Sequence, residues 1–216
     1  MSHIHVKVKR KFLPHLLLSR GALRHLETAK EKKTGYFYDW LGAILLSALS
    51  IEAIGNTYGE VLIPDWKDFE SASPIAKLRL AATRCGINPD LTKHPWATAR
   101  QLILFRNRIA HAKPKSLKID KNDCDESNYL KVFNTRLESD LEKMITEDFA
   151  KQSCDAVTQI IDALNKTRKP SELYELVLAG TIQLERVNTV WRAWGDEPNT
   201  SLRASTGGGP NGAPAN

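Results

Sequence analysis

A chain of 216 residues, 42% hydrophobic and 26% charged, is long enough for one sizeable core and too mixed in composition to be fibrous. Its longest uncharged apolar run, Trp40–Ile51, lies between Asp39 and Glu52 and falls short of the roughly 20 residues that cross a bilayer, so no membrane association is expected. The net charge of +6 sits at the start: residues 1–33 hold nine basic side chains against two acidic ones, leaving the remainder nearly neutral.

In chain order, residues 1–33 read as a disordered basic arm, with a weak alternation at Ile4, Val6 and Val8 and a short helix from about Leu13 to Lys30 that breaks near Gly21. The segment from Tyr36 to about Gly55 is the most apolar and predicts a central helix with neighbours on most sides. Pro64, Asp65 and Trp66 mark a loop. Ser73 followed by Pro74 is an N-cap signal opening a helix to about Arg84, and Gly86 and Pro89 close that unit. Pro95 opens the next helix, to about Ala112, and Pro114 stops it. Residues 113–128 read as loop. Ser139-Asp140 then precedes a long amphipathic helix on which Leu141, Met144, Ile145, Phe149, Val157, Ile160, Ile161 and Leu164 recur at helical spacing. Pro170-Ser171 leads into a last helix, Glu172 to about Trp194, and residues 196–216 form a Gly- and Pro-rich disordered tail. The expected architecture is an all-α bundle of about five helices over residues 34–195. Cys85, Cys124 and Cys154 are widely spaced and match neither a disulfide framework nor a zinc motif, which fits a reducing, cytoplasmic setting and no metal or cofactor.

The segment that can do chemistry is the helix ending at His111. At about 100° per residue, Ala99, Leu102, Ile103, Phe105, Ile109 and Ala110 share one apolar arc, and Arg106 falls inside it. An arginine in that position needs a carboxylate partner or an anion. Glu52, itself a charge in an apolar helix, is the candidate partner. Asn107 and His111 are four residues apart and share one face. The carbonyl end of a helix favours positive charge, and an imidazole can take and return a proton near neutral pH. A guanidinium fits phosphate oxygens, and an amide can orient the imidazole or hydrogen-bond substrate. These are the parts needed to cleave RNA through its own 2′-hydroxyl, a reaction that needs proton transfer and charge stabilisation and no metal in principle.

Arg106-Asn107-Arg108-Ile109-Ala110-His111 resembles the Arg-x(4–6)-His signature of the HEPN superfamily, in the form with a polar residue directly after the arginine. The resemblance covers roughly residues 36–167. It implies a helical bundle of four or five helices that dimerises so that two motifs face one cleft. It also implies metal-independent endoribonuclease activity in toxin–antitoxin pairs, phage defence, stress response or RNA processing, with RNA as substrate and an antitoxin or other regulatory partner. By the same resemblance Arg106 would bind the phosphate, Asn107 would position and His111 would transfer a proton. The tyrosine that a subgroup of toxins carries two residues after the histidine is replaced here by Lys113, so the modification it receives is not expected.

Other residues carry weaker signals. Arg100 and Lys113 flank the motif helix and are candidate substrate contacts, with ordinary solvated charges as the alternative. Asn56, Tyr58 and Glu60 follow Glu52 and could rim a cleft. Leu104, with Ile103, offers apolar surface to a symmetric partner. His3 and His5 on a mobile arm make a poor metal site, and His94 reads as surface. Trp191 and Trp194, three apart, would pack the last helix onto the bundle, with stacking on bases as the alternative. Two readings compete with the nuclease: a non-catalytic HEPN-like bundle that binds a nucleotide or RNA, and a bundle in which Arg106–Glu52 is only a structural lock.

Overall fold

Leu13 in extended conformation and Pro14 at the first helical position start helix α1, Pro14–Glu31, in the computed structural model. The model describes residues 12–118 and 137–167, with the backbone of three short strands outside that range. Helix α1 runs unbroken through Gly21, contrary to the expected break. The reason is packing: a Cβ at Gly21 would lie 3.1 Å from Leu46 Cδ1, so the missing side chain lets two helices approach closely.

The second of those helices is α2, Tyr36–Leu62, which extends two turns past the expected end at Gly55. It packs against every other described helix: α1, α3 (Pro74–Arg84), α4 (Trp96–Ala110) and α5 (Glu147–Lys166). Ala43, Ile44, Ala48, Ile51 and Ile54 are fully enclosed, each large side chain contributing about 1.5–3 kcal/mol by burial. By length and composition α2 could cross a membrane, and half of its most apolar window is covered by the other helices.

Helix α3 begins as its sequence predicts, with Ser73 Oγ accepting from Ala76 N–H at 3.3 Å and Pro74 following. The start of α5 differs from expectation. Ser139 and Glu142 form a reciprocal capping box, with Ser139 N–H donating to Glu142 Oε2 at 2.8 Å and Glu142 N–H to Ser139 Oγ at 3.2 Å. That box closes only the 3-10 turn Glu142–Met144. A second cap at Thr146, whose Oγ1 accepts from Phe149 N–H at 3.1 Å, opens the α-helix. Leu141 and Met144 therefore precede the helix, and Ala150, Cys154, Val157, Ile160 and Leu164 form its buried face.

Five α-helices are present among the described residues, in agreement with an all-α bundle. The chain divides into two units. The helical unit spans residues 12–178 and so begins well before the boundary at 33/34 suggested by charge, because α1 buries Ala22, Leu26 and Ala29. The second unit comprises residues 1–11 and 179–216 and contains an antiparallel sheet of β1 (Val8–Lys9), β2 (Ile182–Leu184) and β3 (Val187–Trp191). Val8 pairs with Leu184, and Leu184 with Val187. This corrects the helix expected through Trp194. Ile182, Val187, Thr189 and Val190 are β-branched and favour extended backbone over a helix whose apolar spacing is only approximate. Residues 1–7, 10–11, 119–136, 168–181, 185–186 and 192–216 lie outside the described residues, and with them Cys124, Trp194, His3 and His5.

Candidate functional site

Helix α4 buries Trp96, Thr98, Ala99, Leu102, Ile103 and Phe105, and Phe105 meets Phe149 of α5 edge to face at 6.0 Å. That burial fixes the rotation of α4 and turns Arg106 toward α2. Arg106 Nη2 donates to Glu52 Oε2 at 2.6 Å, so the pairing read from two misplaced charges is present. The side chains are 26% and 34% exposed, which places the pair at the edge of the core and not inside it. Arg106 Nε is buried with no hydrogen-bond partner. A buried donor left without a partner costs about 1–3 kcal/mol.

Asn107 and His111 are exposed on the outer side of the same helix end. His111 is not in the last helical turn, as the wheel placed it. It is the C-cap, with φ −110° and ψ 14°, and its N–H donates to Asn107 O at 3.1 Å. Among the described residues neither the His111 imidazole nor the Asn107 amide makes a side-chain hydrogen bond. Ala110 is exposed and Ile109 half-buried, so the apolar arc weakens in the last turn.

Of the flanking candidates, Arg100 and Lys113 are both exposed, toward either end of α4. Asn56 and Glu60 line a cavity of about 810 Å³ with Asp65, Trp66, Lys67, Glu70 and Lys77, one and two turns along α2 from Glu52. Tyr58 does not rim it. It is fully buried, donating from its hydroxyl to Asn165 Oδ1 at 2.5 Å. Ile103 is also buried, which leaves Leu104, 53% exposed, without the apolar neighbour expected beside it.

Several residues have surroundings that the sequence did not indicate. Lys77 is buried, with its ammonium donating to Asn56 Oδ1 at 2.9 Å and lying 5.8 Å from the centre of the Trp66 ring. Its signal was the one that exposed Arg106: on α3 it falls on the arc of Leu78, Ala81 and Ala82. His94 is more than surface, bonding Asp155 Oδ2 at 2.8 Å and Thr98 Oγ1 at 3.1 Å to tie the start of α4 to α5. His15 is fully buried against Tyr58 with both ring nitrogens unbonded, and burial lowers its pKa from 6.5 to about 4. The Cys154 thiol is pushed up, mainly by burial, and lies 3.7 Å from Ser47 Oγ. Among the described residues no three His, Cys, Asp or Glu side chains are grouped to hold a metal.

In comparisons with known proteins, no family model, no curated protein and no solved structure matches this chain.

Proposed function

We propose that this protein is a HEPN-like, metal-independent endoribonuclease of the cytoplasm, whose site is completed when two copies bring their Arg106-Asn107-x-x-x-His111 segments together. The observation that supports this most is the Arg106–Glu52 pair. It holds a guanidinium at the rim of the core, on the helix that ends at the exposed His111.

The chemistry follows from those groups. An imidazole of His111 takes the 2′-hydroxyl proton, and the 2′-oxygen forms a bond to the adjacent phosphorus. The bond from phosphorus to the 5′-oxygen breaks, and that oxygen receives a proton from an imidazolium, most simply the partner copy's equivalent of His111. Arg106, oriented by Glu52, stabilises the charge that builds on the phosphate oxygens, and Asn107 orients the imidazole or the substrate. Imidazoles carry both protons and the guanidinium meets the developing charge, so the exchange at phosphorus needs no metal ion in principle.

Product ends test this directly. Cleavage of an end-labelled oligoribonucleotide should leave a 2′,3′-cyclic phosphate and a 5′-hydroxyl, and a 2′-deoxy substitution at the cut position should prevent it. Products with a 3′-hydroxyl and a 5′-phosphate would contradict the mechanism. RNA binding that weakens with salt and yields no product would favour the non-catalytic binding module, a reading that the absence of side-chain hydrogen bonds orienting His111 among the described residues also favours.

A further inference from the structure

A second cavity, about 560 Å³, lies at the start of α2 and differs in character from the one beside Lys77. Its lining includes Tyr36, Phe37, Tyr38 and Trp40, four aromatic residues within five positions. Tyr38 is 73% exposed and Tyr36 40% exposed, while Tyr36 rests on Trp40 with ring centres 4.6 Å apart. Core packing does not account for aromatic faces left this open. Lys33 and Lys143 stand at the same cavity, and neither ammonium is paired with a carboxylate among the described residues. Of the two acidic residues in the lining, Glu142 is engaged by the Ser139 backbone.

One side-chain contact links the segment lining this cavity to the helix that carries the candidate site. Arg108, two residues after Arg106, donates from Nη1 to Met144 Sδ at 3.3 Å. Lys143 and Ile145, on either side of Met144, line the aromatic cavity. Along α2, Tyr38 is about 21 Å from Glu52, a distance of several nucleotides on a single strand.

We propose that this cavity is a stacking subsite for an unpaired base of single-stranded RNA, with Tyr38 and Tyr36 supplying ring faces and Lys33 and Lys143 meeting the flanking phosphates. The inference rests on the ribonuclease reading above and specifies its substrate as unpaired RNA. Base stacking on aromatic side chains tolerates sequence, because every base has a π-face, and the balanced charge of the lining makes stacking the main source of affinity there. A duplex keeps its bases stacked internally and gains nothing from these rings.

Binding of the full chain to a fluorescent 2′-O-methylated oligoadenylate, which cannot be cut by 2′-hydroxyl attack, separates the possibilities. Tyr38→Ala should weaken binding roughly 5- to 150-fold with an unchanged dependence on salt, and Tyr38→Trp should restore it. Lys143→Ala should instead flatten the salt dependence. A duplex of the same length should be insensitive to Tyr38→Ala. Wild-type affinity in both Tyr38→Ala and Tyr36→Ala would overturn the subsite and leave the ribonuclease reading intact. A wild-type chain that binds no oligonucleotide, and cleaves none, would overturn both.

Discussion

Arg106 and Glu52 show what a single misplaced charge reveals and what it conceals. The wheel puts Arg106 on an apolar arc and Glu52 stands among apolar neighbours, which makes them candidate partners and places both in the interior, where removing one partner costs about 3–5 kcal/mol. At 26% and 34% exposure the stranded carboxylate of Arg106→Ala still reaches water, so a loss of about 1–2 kcal/mol is expected by denaturant titration. A loss above 4 kcal/mol would mean the pair is effectively dry. His111→Ala, at an exposed C-cap, should change stability by less than about 0.5 kcal/mol, so its effect on activity can be read without a folding correction. His15 lies at the other extreme. Its folded pKa of about 4 is below the ordinary 6.5, so the unfolded chain takes up the proton first as pH falls. Its contribution is intact above about pH 6.5 and is lost between there and about pH 4, by up to about 3 kcal/mol. His15→Leu should flatten that slope, and an equally steep slope in the variant would assign the acid sensitivity elsewhere. Nothing in the sequence around His15 marks it, because its enclosure depends on Tyr58, which is distant in the chain.

Helices with local punctuation were legible, and those decided by tertiary contact were not. Ser73-Pro74 and Pro95 mark the beginnings of α3 and α4 because capping and proline geometry act within one turn. Two caps seven residues apart compete before α5, and the sequence cannot say that Thr146 opens the helix while Ser139 closes only a turn. Gly21 reads as a helix breaker in isolation and is a contact point in the fold. Gly59 is a stronger case, since a Cβ there would overlap the ring of Trp66. Gly59→Ala should therefore destabilise by about 1–3 kcal/mol despite the better helix propensity of alanine, and a thermal melt unchanged from wild type would show that Trp66 moves aside freely. The sheet of β1, β2 and β3 was missed because strands of two to five residues carry too little pattern to outweigh an apparent helical spacing.

For the whole molecule, an all-α bundle follows from the number of strongly periodic segments, whereas a site shared by two copies cannot be derived from one chain's periodicity. The proposed dimer requires light scattering to give about twice the chain mass of 24.2 kDa. Leu104, exposed on α4 two residues before Arg106, is the side chain most suited to lie in that contact. Leu104→Asp should shift the protein to monomer and lower cleavage together, and an active monomer would remove the shared site from the account. Incubation of labelled RNA in EDTA with the wild type and with His111→Ala decides whether this protein is a metal-independent ribonuclease acting through His111. Cleavage by the wild type and none by the variant, at equal folded fraction, is the expected outcome. Equal cleavage by both, or none by a dimeric wild type, would rule that activity out.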